Sequence, residues 1–456
     1  MQFVRQVLVP LTFWGAAAEI SFANSLTIDE AVARAVTTSP RIRGAQADRD
    51  AAKEKRRGAW ADLGPRLKAE YSQVRFEDAQ KFQMGPTEIT LRPEEVKSGS
   101  LTLAQPITGL YALAERARME GSQEDQKDLM LQAARTEVAL QTADSWLKAY
   151  GAQRQLQIAQ ASVEAALSQQ KDAAALERVG RLNRGDVLRL ELAVSEAKAR
   201  VATTRAGRDI VIAALREAID VEPGTPVDLA ETLPLVPADD PELAEALKVS
   251  RETRIERRMA ENGVTLAGFG RSLALSQFSP NINLFAKLDH NFGEPAGLGA
   301  SGRDTRSVGV MLSWDLWNNG SSTFAVREAA QQVIRAGENV AGIDEQIRLD
   351  VQAAIYNLKA ARESLSLATV AVNQAEEAYR IEQARFKTGA RSSTDLILAE
   401  AARANAQGRR VAAETDIISW YMKLQKAQGL EILPKQATKG TKGTKGSEGE
   451  PPDQKK

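Results

Sequence analysis

Two aspartates are the residues of this chain best placed to do chemistry. Asp186 and Asp395 stand 209 positions apart (395 − 186), and each follows a glycine, Gly180 or Gly389, by six residues. A glycine at that point ends a helix cheaply, because only glycine takes the left-handed conformation without penalty. An aspartate just beyond begins the next helix, where a carboxylate meets free N–H groups and the positive end of the helix dipole. The remaining inventory excludes more than it offers. The chain has 456 residues, no cysteine and a single histidine, His290. That removes disulfides, thiolate metal sites and a lipid-bearing N-terminal Cys, and leaves little for zinc chemistry or a Ser-His-Asp device. There is no glycine-rich phosphate loop, and the acidic residues are spread along solvated helix faces. No catalytic constellation and no cofactor site is expected. Sixty basic and sixty acidic side chains give no electrostatic footprint for nucleic acid.

The elements that must hold the aspartates are helices. Arg5, the apolar run Val7–Ala18 and the small residues Ser21 and Ala23 read as an export signal over residues 1–23. Beyond it no apolar run approaches the roughly 20 residues of a spanning helix. Thr27 and Asp29 cap a helix expected to run to about Trp60, and Pro65 ends it. A first strand is expected over about 66–77, a loop from Asp78 to Lys97, and a second strand over about 98–106. A long helix comes next, from about Tyr111 to Leu176, with Leu131, Val138, Leu156, Val163 and Leu167 at near-heptad steps and alanine between them. Another runs from Asp186 to about Ala218.

Five prolines between Glu222 and Pro241 mark a linker over 222–241. The chain beyond this linker repeats the chain before it. Ala31 and Ala246 are 215 apart (246 − 31), as are Pro65 and Pro280 (280 − 65); Gly180 and Gly389 are 209 apart. The chain therefore reads as two copies, 24–221 and 242–433, of a helix-strand-strand-helix-helix unit. A tail over 434–456, rich in Lys, Gly and Thr, has the composition of a disordered end.

The strands of the second copy, about 281–292 and 305–316, alternate cleanly. Ile282, Leu284, Ala286 and Leu288 share one face, and Val308, Val310, Leu312 and Trp314 share another; the intervening positions are mostly polar. Tyr71, Phe292, Trp314 and Trp317 lie near strand ends, where aromatic residues commonly meet a membrane interface. Two hairpins expose open edges and need neighbours. A closed barrel is the only sheet that survives in lipid, and three copies of four strands would give twelve. The apolar faces are then lipid-facing. A periplasmic coiled-coil scaffold without a pore would share the helices but has no use for the hairpins.

With its duplicated halves, strand pairs and the two break motifs, Val179-Gly180-Arg181-Leu182-Asn183-Arg184-Gly185-Asp186-Val187 and Phe386-Lys387-Thr388-Gly389-Ala390-Arg391-Ser392-Ser393-Thr394-Asp395-Leu396, the chain resembles the TolC family of outer-membrane efflux proteins. The resemblance implies a mainly α fold with a small β part. In it a homotrimer forms a 12-stranded outer-membrane barrel above a long antiparallel helical barrel that crosses the periplasm. It implies a passive exit duct for efflux or type I secretion, with outer-membrane lipid, a periplasmic adaptor protein and an inner-membrane pump of ABC or RND type as partners. Val179, Gly180, Asp186, Val187, Phe386, Gly389, Asp395 and Leu396 would then form the adaptor-docking tip. Arg391 and Asp395 would gate the periplasmic entrance, three copies of Asp395 forming an acidic ring. The family pattern has a second acid three positions on, where this chain has Leu398.

Overall fold

The computed structural model describes residues 25–292 and 304–432. The expected signal, the glycine-rich loop after Phe292 and the tail lie outside the described residues.

The first copy begins with a capping box. The Glu30 N–H donates to Thr27 Oγ1 (3.3 Å) and the Thr27 N–H to Glu30 Oε2 (3.0 Å), so Thr27 is the cap of helix α1 (Ile28–Thr38). The helix expected to run unbroken to Trp60 is in fact two. Pro40 has no N–H to offer a continuing helix, and α2 (Pro40–Ala61) starts afresh there. Strand β1 (Arg66–Arg75) comes next. The segment expected as a loop carries a small hairpin, β2 (Gln80–Met84) and β3 (Thr87–Arg92), turning at Gly85 with φ +63°. Strand β4 (Glu95–Pro106) starts three residues earlier than expected (98 − 95). Helix α3 (Gly109–Arg178) then runs 70 residues without a break, and α4 (Arg184–Ala218) returns.

The second copy repeats the plan with α5 (Leu243–Thr253), α6 (Ile255–Ser276), β5 (Asn281–Asn291), β6 (Asp304–Ser313), α7 (Ser321–Lys387) and α8 (Ser393–Ala427). Even the first break recurs. Arg254, at φ −61° and ψ 123°, matches Ser39, at φ −58° and ψ 124°, 215 residues earlier (254 − 39), although no proline enforces it. Arg254 holds it instead: its buried guanidinium meets Asp350 and Glu256 at 2.9 Å each and donates to the Lys426 carbonyl at 3.2 Å.

The chain packs as two compact units. One comprises residues 35–141, 236–374 and 412–432 among those described, and contains all six strands. Its four-stranded sheet is antiparallel with order β1-β4-β5-β6, so the last strand of the first copy pairs with the first strand of the second. Its helical core is small-residue-rich: Ala246, Ala354 and Ala427 pack with Ile347, Val351, Leu358 and Leu424. Small side chains let the helices of this core approach closely.

The other unit comprises residues 25–34, 142–235 and 375–411. Here the proline-rich linker is strapped down rather than loose. Leu26 and Leu229 form a parallel bridge, and the buried Trp146 donates its Nε1–H to the Leu26 carbonyl at 3.1 Å. Tyr150 stacks on Trp146 and donates its hydroxyl toward the Glu231 carbonyl. Of the near-heptad residues of α3, Leu131, Val138 and Leu156 are buried and Val163 partly so, whereas Leu167 is exposed. Among the described residues, no helix is long and apolar enough to cross a membrane.

Candidate functional site: paired helical turns and an apolar sheet face

The two glycine turns lie side by side in the second unit and are built alike. Gly180 and Gly389 take φ +73° and +74°. The Gly180 N–H donates to the Glu177 carbonyl and the Arg181 N–H to the Leu176 carbonyl, both at 2.9 Å. The Gly389 N–H donates to the Phe386 carbonyl and the Ala390 N–H to the Arg385 carbonyl in the same pattern. Each is a Schellman close, which satisfies the carbonyls left free at a helix end. The returning helices are capped by Asn183 and Ser392, not by the aspartates: Asn183 Oδ1 accepts from the Asp186 N–H at 2.9 Å, and Ser392 Oγ from the Asp395 N–H at 3.3 Å. The aspartates answer from three residues on, accepting from Asn183 Nδ2 (2.7 Å) and Ser392 Oγ (3.0 Å).

From this shared frame the two copies diverge. Asp186 is buried and takes hydrogen bonds from Arg189 (2.9 Å) and from the buried Ser393 hydroxyl (2.6 Å), which ties one turn to the other. Arg181 adds a second tie by donating to the Thr388 carbonyl. Asp395 is half-exposed, and its only ionic neighbour among the described residues is Arg391, at 3.7 Å. Arg391 also reaches Glu382 of its own chain at 3.5 Å. The carboxylate available to a ring is thus Asp395, and it carries its own counter-charge.

The expected docking residues divide in the same way. Val179 is 67% exposed and Gly180 and Gly389 are open, but Val187, Phe386 and Leu396 are at most 2% exposed. These three form a core with Ala173, Leu190 and Tyr379 beneath the turns, so they hold the surface in shape without being part of it. Farther from the turns along α3 and α8 lies a polar network invisible as a motif. Arg403 reaches Glu400 at 2.8 Å and lies 4.2 Å over the Tyr379 ring, whose hydroxyl accepts from Gln169. Burial pushes the Glu400 carboxyl above the usual carboxylate range, against the pull of Arg403 and Ser162.

The sheet sorts its faces by register. Leu67 and Ala69 of β1, Leu101 and Leu103 of β4, Ile282 to Leu288 of β5 at even positions, and Val308, Val310 and Leu312 of β6 share one surface. Leu284, Leu288, Val308, Val310 and Leu312 are exposed on it, while Ile282 and Ala286 are partly covered. Trp314, expected within the strand, lies just past it; it is exposed and donates Nε1–H to the Phe278 carbonyl. On the opposite face Lys68 and Lys287 lie in one row, Glu70 and Asp289 in the next. Phe285 lies over Gly309 there, where any Cβ would collide with its ring. The outer edges, β1 and β6, have no strand partner among the described residues.

The architecture is that of the outer-membrane channels with a helical body and a β domain. It matches the outer membrane protein VceC of Vibrio cholerae with a TM-score of 0.73 and 18% identity over 89% of this chain and 96% of that one. It matches the CmeC outer membrane channel of Campylobacter jejuni with a TM-score of 0.74 and 15% identity over 88% and 85%. Residues 252–430 match the model of the outer membrane efflux protein family, as the resemblance in the sequence led one to expect. Protein CyaE of Bordetella pertussis is 27% identical over 190 residues; the match spans 41% of this chain and 38% of that protein.

Proposed function

We propose that the protein is a homotrimeric outer-membrane channel, the exit duct of a tripartite efflux or type I secretion system. The observation that carries this reading is the four-stranded sheet with one apolar face and two open edges, set in a duplicated helical chain. A sheet of that kind is stable in lipid only when closed, and three copies supply twelve strands. The fold shared with solved channels supports it, and a pore-less periplasmic scaffold is not favoured. The paired turns form the periplasmic end, where an adaptor protein coupled to an inner-membrane pump docks on Val179, Gly180, Gly389 and their neighbours. Val187, Phe386 and Leu396 support that surface from below. Three Asp395 carboxylates ring the entrance, each held by Arg391, and docking frees them. The reading assigns the chain no enzymatic activity and no cofactor, so energy for export comes from the pump.

Planar-bilayer conductance of the purified protein tests this. Wild type is expected to give small, stable steps, and Asp395→Ala steps of altered size and weaker cation preference. Steps indifferent to the substitution would remove the acidic ring, and a folded protein that never inserts would remove the channel.

A further inference from the structure

On the apolar face of the sheet, the row beyond Ala69, Leu101 and Leu288 changes character. Arg306 stands opposite Leu288, and the next row reads Tyr71, Gly99, His290 and Asp304. Gly99 leaves a gap that Phe292 fills: its ring would lie 3.2 Å from a Cβ at that position. The Phe292 ring meets His290 at 4.5 Å and Tyr71 at 5.8 Å, both edge-on. Around these rings is a shallow groove that Arg306 also lines.

The charges at this end are unevenly matched. Two acids lie on the same face, and both are engaged: Glu95 by Lys97 (3.0 Å) and Gln73, Asp304 by His290 Nδ1. Arg306 and Arg75 are exposed; each charge acts on the acid beside it, Arg306 on Asp304 and Arg75 on Glu95, but among the described residues neither comes within ion-pair distance of a carboxylate. At the other end of the face, near Trp314 and Phe278, the described strand residues are Leu67, Leu103, Ile282 and Leu312, none of them charged. From Arg306 to Trp314 is eight residues (314 − 306), or about 27 Å along an extended strand at ~3.4 Å per residue. Tilted as barrel strands are, that gives about 20 Å of height, near the thickness of an outer-membrane apolar band. Arg306 therefore stands at one interface, on the side away from the strand ends that enter helices α3 and α7. There a cation on a lipid-facing surface costs little, and an anionic headgroup meets it.

We propose that Arg306 and the Tyr71–His290–Phe292 ring cluster bind the phosphate of a phosphorylated lipid of the outer leaflet. The guanidinium takes two phosphate oxygens, and the rings support the sugar or glycerol behind them. This rests on the reading of the face as lipid-facing.

The test is native mass spectrometry of the detergent-solubilised full-length protein with added lipid A, comparing wild type, Arg306→Gln and Arg306→Lys. Wild type is expected to retain lipid A, Arg306→Gln to bind it about tenfold more weakly, and Arg306→Lys to fall between, since lysine keeps charge but not the fork. Equal retention by wild type and Arg306→Gln would overturn the site. Displacement of lipid A by inorganic phosphate alone would overturn the lipid as its occupant. Insertion into phosphatidylcholine vesicles, measured on the same preparations, separates these outcomes: a protein that never inserts fails as a channel, whereas one that inserts without lipid A preference fails only here.

Discussion

Asp186 and Asp395 occupy equivalent positions in two copies of one turn, yet one is a buried staple and the other a half-exposed charge. Ser393 decides it: its hydroxyl is spent on Asp186, while the neighbouring Ser392 caps α8 and leaves Asp395 facing outward. None of this is legible in the aspartates themselves. They look like caps because the true caps, Asn183 and Ser392, sit three residues earlier in sequences dense with polar side chains. Glu400 makes a prediction at the same scale. Its carboxyl is raised by burial, so its contribution to stability is full below the unfolded value, about pH 4.3, and is lost as pH rises through the folded one. Thermal melts of wild type and Glu400→Gln across pH 4 to 8 are expected to show wild type losing ground to the variant as pH increases. Parallel curves would mean that Arg403 and Ser162 fully compensate the buried charge.

At the scale of elements, alternation and punctuation carried the reading. The strands from Asn281 and toward Ser313 were legible because period two puts their apolar residues on one surface, and the helix ends because glycine marks them. The β2–β3 hairpin was not, since Gly85, Pro86 and Pro93 within so few residues suggest a loop when taken one by one. Nor was the burial of Val187, Phe386 and Leu396, which depends on one copy's turn packing against the other's; local periodicity does not encode that. The sheet gives a paired prediction. Leu284→Arg, on the apolar face, is expected to cost roughly 2–4 kcal/mol near mid-membrane and to reduce assembly in vesicles. Lys287→Arg, on the charged face, is expected to leave assembly unchanged. Equal losses would mean the faces are reversed or that neither meets lipid.

At the scale of the whole molecule, the open edges of β1 and β6 ask for other copies. Native mass spectrometry in detergent is expected to show particles of three chains; a dominant monomer would leave the edges open and defeat the barrel. The strand order has a further consequence, one of timing. Ser98 of β4 pairs with Asn291 of β5, 193 residues later (291 − 98). Between the end of β4 at Pro106 and the start of β5 at Asn281 lie 174 positions (281 − 106 − 1). At about 5–20 residues per second, the ribosome needs about 10–35 s to make that stretch. For that interval the first hairpin exists with one edge that nothing in the chain can yet satisfy. A strand waiting so long for its neighbour is a ready template for wrong pairings, so the newborn protein depends on escorts that keep the early half apart from its fellows until the late half arrives.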